Sequence, residues 1–238
     1  MLKIDRDRIA IPLVVAVTGH RDLVPAEIPE IRKRVRALLV ELQDKYPERR
    51  LRVLSPLAEG ADRIVAEEAL AIAAELIVAL PMPRDLYVTD FESEASREEF
   101  DRLCNAAYEY LELPLARNNT LEDIREHGHA RNLQYAQMGV FLCAHCHILL
   151  ALWDGKYRDE LGGTGQVVRF HHDDIMPGYA ERSAANQQML VDDESDLVYH
   201  IVCSRDRPDG KPHEDFTPLD AWWFTKDENT PRTRTLPP

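Results

Sequence analysis

The chain has no excess of positive charge, no long apolar run and few cysteines, and each lack removes a class of function. Lys and Arg total 29 against 42 Asp and Glu, a formal net charge of −13 over 238 residues. Proteins that wrap a nucleic-acid backbone draw most of their affinity from phosphate neutralisation and carry a basic face. The balance here argues against long DNA or RNA, and against an anionic membrane surface, while leaving room for a local basic pocket. No apolar run approaches the ~20 residues that span a bilayer. The longest candidate, Val140 to Trp153, is too short and holds His145, His147, Cys143 and Cys146. The opening MLKIDRDRIA mixes charges and lacks the apolar stretch of a signal peptide. Cys104, Cys143, Cys146 and Cys203 do not make a disulfide framework in a chain of this length. The expectation is a reduced, cytoplasmic protein. There is no internal repeat.

What is present has an ordinary globular balance, with 45% hydrophobic and 30% charged residues. The length suffices for one large α/β domain with a well-buried core. Leu13 to Thr18 (LVVAVT) is a short β-branched run ending at Gly19, the pattern of a buried parallel strand. From Ala26 the period changes: Ile28, Ile31, Val35, Leu38, Leu39 and Leu42 form an amphipathic stripe, with Pro25 near the first turn and Pro47 as the stop. LRVL (51–54) is a second strand, an alanine-rich helix opens at Gly60, and ELIVAL (75–80) is a third strand closed by Pro81 and Pro83. Ser96 and Glu99 have capping-box spacing before a helix carrying Phe100, Leu103, Ala107 and Leu111. Residues 114–126 read as loop, 129–144 as helix, 147–153 as strand, 162–170 as loop then helix, and 197–203 as strand.

Strands alternating with helical crossovers predict a Rossmann-like parallel sheet with helices on both faces, spanning residues 1–205. Residues 206–238 read as an irregular tail docked through Trp222, Trp223 and Phe224. Its ending, TRTLPP, has the look of a linker to a further domain.

Ligands of open parallel sheets bind at the carboxyl ends of the strands, at a switch point. Four loops fall there. The first is Thr18-Gly19-His20-Arg21-Asp22, where Gly19 permits close backbone approach and Arg21 offers a planar cationic fork for phosphate. A plain turn with a solvated Arg is the bland alternative. The second is Leu57-Ala58-Glu59-Gly60-Ala61-Asp62: small residues at a helix start attract anions, Glu59 can accept from a ribose, and Asp62 is either a site residue or a simple helix-start acid. The third, Gly162-Gly163-Thr164-Gly165-Gln166, is the strongest local signal. Three glycines in four residues imply a special conformation, and a nest of N–H groups with the Thr164 hydroxyl can cradle a phosphate. A flexible loop is the alternative, and the run lacks both the P-loop ending and the dinucleotide spacing. The fourth, Asp154-Gly155-Lys156, is either a ligand contact or only a turn.

With these loops in place, the chain resembles the SLOG superfamily, which unites the Smf/DprA proteins with the LOG cytokinin-activating, lysine decarboxylase-like proteins. LAEGADRIVAEEAL (57–70) is similar to the Gly-Ala-x-Gly-x-Asp-x-x-Ala helix start of the DprA branch. GGTGQ (162–166) is similar to the Gly-Gly-x-Gly-Thr phosphate loop of the LOG branch, and VTGHRD (17–22) to the family's first-strand loop. The resemblance covers residues 12–205. It implies binding of nucleotides or nucleotide-derived signals, frequent homodimers and, in bacterial conflict systems such as anti-phage defence, a sensor for cyclic-ADP-ribose-type messengers. One departure matters: LOG-type hydrolases place glutamates on the helix after the glycine loop, whereas here it runs Gln166-Val167-Val168-Arg169-Phe170. The missing carboxylate favours a binding domain over a phosphoribohydrolase, with Glu59 and Asp62 left as substitutes.

Cys143-Ala144-His145-Cys146-His147 spells a c-type haem attachment string. It lies where a helix runs into a buried strand, so small apolar roles outweigh haem or zinc. No cofactor and no metal is expected, and no Ser-His-Asp or Cys-His arrangement can be assigned. Tyr87, Phe91 and Arg97 follow the third strand; Tyr87 either stacks on a base or anchors an ordered loop. Ala66, Ala69 and Ala73 share a helix face suited to close pairing, so a homodimer or larger assembly through that face is one expectation; packing on the chain's own sheet is the other.

Overall fold

The computed structural model describes residues 11–180, 197–224 and 232–234. Residues 1–10 and the last four positions of the linker-like ending lie outside them. The elements in chain order are β1 (Leu13–Gly19), α1 (Ile28–Lys45), β2 (Leu51–Ser55), α2 (Ala61–Ala71), β3 (Glu75–Leu80), α3 (Arg84–Tyr87), α4 (Glu94–Ala106), β4 (Glu109–Glu112), α5 (His129–Ala144), β5 (Ile148–Trp153), α6 (Thr164–Asp173), β6 (Leu197–Val202), β7 (Ala221–Phe224) and β8 (Arg232–Thr233). A 3-10 turn, Val88–Asp90, follows α3.

The strands form one sheet in the order β4-β3-β2-β1-β5-β6-β7-β8. The first six are parallel, with Val15 of β1 opposite Val53 on one side and Ile148 on the other. Period two explains how uniformly apolar strands serve two faces. Val15, Val17, Val53, Leu150 and Leu152 point into one core, shared with α1, α2 and α4. Ala16, Leu54, Leu149 and Ala151 point into the other, shared with α5 and α6. This is the expected Rossmann-like α/β architecture. Among the described residues no helix is long and apolar enough to cross a membrane.

Several details differ from the sequence-based expectation. The helix of Phe100 and Leu103 ends at Ala106, because Ala107 turns extended (φ −67°, ψ 141°). Leu111 then lies in β4, a short edge strand pairing with β3, and packs against the opposite core from Phe100 and Leu103. Its four-residue spacing from Ala107 was a coincidence of two elements. That helix is capped by Ser93, whose hydroxyl accepts the Ser96 N–H at 3.1 Å. Ser96 and Glu99 do not form a capping box; both bind Arg63 instead. Pro29, not Pro25, occupies the first turn of α1. Ala66 and Ala69 of α2 are fully buried in the chain's own core, while Ala73 lies exposed beyond the end of that helix, so the three do not share one exposed helix face.

The tail after residue 205 is not irregular throughout. Ala221–Phe224 forms β7, antiparallel to β6. Trp223 is 1% exposed and meets Tyr199 edge-on at 4.8 Å, while Trp222 carries the Arg234 guanidinium over its ring at 3.8 Å. The C-terminal segment is therefore part of the core. Trp223→Ala should lower unfolding free energy by about 3–5 kcal/mol in urea titration, the range for a buried aromatic deletion. A loss below about 1 kcal/mol would show that β7 is peripheral.

Candidate functional site

The chain leaves β1 toward β2, β3 and β4, then returns to the other side of β1 as β5. The crossovers diverge there, and a crevice opens at the carboxyl ends of β1 and β5. A cleft of about 720 Å³ occupies this position. Its walls are the loop after β1, the start of α2, one face of α5 and the long connection from β5 to α6.

Gly19 stands where β1, β5 and α2 converge. A Cβ there would lie 2.8 Å from the Leu152 carbonyl oxygen and inside the contact distance of Ala61 Cβ. The absent side chain thus serves the packing of three elements. His20 is buried, its Nε2 3.1 Å from Asp154 Oδ1 and 3.2 Å from the Asp154 N–H. Burial lowers the His20 pKa despite the nearby carboxylate, so the ring is neutral at neutral pH. Arg21 lines the cleft with Nη2 4.0 Å from Asp90 and its guanidinium over the Tyr135 ring.

Of the second loop, Ala58 and Asp62 reach the cleft, and the rest turn inward. Glu59 accepts the Glu92 N–H at 3.2 Å and the Ser96 hydroxyl, which fastens the loop to α4 and takes Glu59 away from a ribose role. Gly60 has φ +78°, and a Cβ would collide with the Arg21 carbonyl. The Ala61 N–H donates to the His20 carbonyl at 3.1 Å, so the first N–H of this helix is taken by protein. Asp62 is 5% exposed, and Oδ2 accepts the Ala58 N–H at 3.1 Å. Burial raises its pKa to about 7, against the opposing pull of that N–H and of Arg21 and Arg63.

The glycine loop has the special geometry that its composition implies. Gly162 sits at φ +77° and a Cβ would press on the Ala136 nitrogen at 2.7 Å. Gly163 is the N-cap of α6, and no side chain caps that helix. Gly162, Gly163, Thr164 and Gly165 all line the cleft. Gln166 does not line it: Oε1 accepts the Gly162 N–H at 3.2 Å, and Nε2 lies 3.5 Å from Asp159, so it braces the loop from within.

Asp154 also stands behind the cleft. Its fully buried carboxylate takes His20, the Lys156 N–H at 3.0 Å and Arg158 at 2.9 Å. Burial alone would raise its pKa; these partners outweigh burial and hold it well below the usual carboxylate range. Lys156 and Arg158 themselves line the cleft, as does Arg205, which is joined to Asp22 at 2.7 Å. Lys156 belongs to the fourth expected loop; Arg158 and Arg205 were not among the expected site residues, nor were Asn132 and Tyr135 of α5. Asn132, Tyr135, Gly139 and Leu142 recur at three- and four-residue steps, a cleft-facing stripe legible only once α5 is placed.

Tyr87 resolves as an anchor. It is 1% exposed and packs edge-on against Phe91 at 5.2 Å and Phe100 at 6.0 Å, with one edge at the cleft. Asp90, joined to Arg131 at 2.7 Å and to the Tyr135 hydroxyl, pins the turn after α3 onto α5. In the cysteine-histidine string, His147 Nδ1 accepts the Val14 N–H at 3.1 Å and His145 stacks on Phe141. No group of three or more metal-ligating side chains occurs among the described residues.

No family model matches the sequence, and no curated protein matches it. Among solved structures the chain is similar to DNA processing protein A (DprA) from Streptococcus pneumoniae, with 16% identity and a TM-score of 0.38. The likeness covers 62% of this chain and 42% of that one, so this chain spans less than half of that protein's length. The fold assignment rests on the strand order itself.

Asp62 supplies a pH test. An unfolded Asp ionises near about 3.9, whereas folded Asp62 stays protonated to about 7. Its contribution to stability is therefore complete below the unfolded value and is lost as pH rises through the folded one. The slope reaches at most about 1.4 kcal/mol per pH unit. Asp62→Asn removes this dependence and keeps an oxygen for the Ala58 N–H. Relative to wild type, its stability in urea titrations should improve progressively between about pH 4 and pH 8. A pH-independent difference would mean that Asp62 ionises normally.

Proposed function

We propose that this chain is a SLOG-type sensor domain that binds a nucleotide or a nucleotide-derived signalling molecule, such as a cyclic-ADP-ribose-like messenger. The observation that carries the reading is one convergence. The uncapped start of α6 with its glycine loop, and the side chains of Arg21, Lys156, Arg158 and Arg205, line a single switch-point cleft. Helix-start N–H groups and a glycine nest accept phosphate oxygens, and arginine forks match them in pairs. The cleft volume, about 720 Å³, lies within the range of small-molecule sites.

Binding without turnover is favoured by the residues after the glycine loop. Gln166 is spent on Gly162, and Arg169 pairs with Asp173 at 3.8 Å on the helix surface. Neither lines the cleft. A phosphoribohydrolase is the second reading, favoured by Asp62, a cleft carboxyl able to exchange a proton near neutrality.

The test is calorimetry with AMP, ADP, ADP-ribose and cyclic ADP-ribose, with chromatography of each mixture. The sensor reading expects saturable binding with the nucleotide recovered intact; release of free base with turnover would support the hydrolase. Arg21→Ala should weaken a phosphate-bearing binder by about 1.5–3 kcal/mol, the scale of a hydrogen bond to a charged group. An equal loss for the nucleoside lacking phosphate would remove that role from Arg21.

A further inference from the structure

Four acids line the cleft, Asp22, Asp62, Asp159 and Glu160, and Asp62 is the buried one among them. Its side chain is more than nine-tenths buried and lines the cavity. Ser55 donates to its backbone carbonyl at 3.2 Å and Ala58 N–H to Oδ2, and among the described residues nothing bonds Oδ1. The charged and titratable groups around it come from three elements. Arg63, on α2 itself, gives Nε to the Leu57 carbonyl at 3.1 Å, Nη1 to Ser96 and to Glu99 at 2.9 Å and its face to the Phe91 ring, while its Nη2 is buried with no hydrogen-bond partner among the described residues. Arg21, from the loop after β1, leans toward Asp90. Tyr87, from α3, is buried and un-ionised. Neither arginine forms an ion pair with Asp62. A carboxylate so placed has one N–H and a burial penalty against it; a neutral carboxyl has a free O–H to give.

We infer that Asp62 meets the nucleotide as a neutral carboxyl, donating its O–H to a lone pair of the ligand (a ring nitrogen or an oxygen), so that binding above neutral pH takes up one proton from solvent. The inference rests on the nucleotide reading and names a specificity contact within it. The cleft then distinguishes ligands by whether an acceptor faces the start of α2, because a polar group left without its partner in a dry wall is penalised. Asp62 is placed for this by α2. Its first turn is fixed by Gly60 and by Ala61 N–H on the His20 carbonyl, so the carboxyl is held before any ligand arrives.

The experiment is titration calorimetry with ADP-ribose from about pH 6 to pH 9, in buffers of different ionisation enthalpy. The two phosphates of its pyrophosphate bridge, each doubly substituted, do not titrate there, unlike a phosphate monoester with its second pKa of about 6. Burial pushes His20 below its ordinary value, away from the alkaline end of that range. Wild type should weaken by about tenfold per pH unit at the alkaline end and take up close to one proton per ligand. Asp62→Asn offers an N–H₂ donor and no ionisation. It should bind near the wild-type strength measured at the acid end, with a flat profile and no uptake. Binding that is flat or strengthens with pH in wild type, or the same fall in both proteins, overturns the donor role and leaves nucleotide binding standing. If ADP-ribose does not bind, AMP replaces it, and the difference between wild-type and Asp62→Asn profiles cancels the phosphate's own titration. If neither binds, the nucleotide reading falls, and the donor role with it.

Discussion

A carboxylate with no access to water, Asp154, is the interaction on which the cleft depends. Burying such a charge costs several kcal/mol unless it is paired and hydrogen-bonded. Asp154 meets that demand with partners from both walls: His20 from the loop after β1, and the Lys156 N–H and Arg158 from the connection after β5. The two strands that diverge at the switch point are thereby tied at the point where the sheet alone would let their loops separate. Gly19 sets the same distance sterically, since a Cβ there would push on Ala61 and Leu152 at once. The contacts of Asp154 pull the walls together, and the missing side chain of Gly19 leaves the room for them to meet.

The acidic balance of the chain and the cationic lining of the cleft are parts of one arrangement. Arg205 is held by Asp22, Arg158 by Asp154, and Arg21 is drawn to Asp90. Long cationic side chains lose rotamer freedom when they grip an anion. Here much of that ordering is done in advance by carboxylates standing behind them. Asp22, Asp159 and Glu160 line the same cleft, so its cations are set among acids within a chain of net charge −13.

Strands β1, β2, β3, β5 and β6 were legible because each is a short apolar run bounded by turn residues, and fully buried strands demand that pattern. β4 was not: its EYLE is mostly exposed, so no core face wrote a period into it. β7 was hidden for another reason. Ala221 to Phe224 comes after a stretch rich in Pro and Asp, and its pairing with β6 depends on a return across the sheet that local pattern does not encode. The site divides the same way. Glycine and arginine after apolar runs marked Gly19, Arg21 and the Gly162–Gly165 loop. Glu59, Ala61, Asp154 and Gln166 carried the same local signal yet turn inward, because braces and ligand contacts draw on the same residue types. Arg158 and Arg205 had no motif, and only the meeting of distant loops brings them to the cleft beside Lys156.

That meeting also joins the cleft to the C-terminal part of the chain. Asp206 N–H donates to the Asp22 carbonyl at 2.7 Å, His213 N–H to the Asp154 carbonyl at 2.8 Å, and Lys156 Nζ to the Asp209 carbonyl at 3.2 Å. Phe216 fills the space that the missing Gly155 side chain leaves. The segment between β6 and β7 is therefore fastened by the residues that shape the cleft, and two of its fastenings, Arg205 to Asp22 and Lys156 to Asp209, use cations that face the cavity. An anion that engages either cation competes with a bond holding that segment. It can shift the segment only by the difference in affinity it has for the fastened and released arrangements. The solvent-exposed Lys156 contact is the weaker fastening, because a neutral acceptor in water holds an ammonium less firmly than a carboxylate in a half-buried pair.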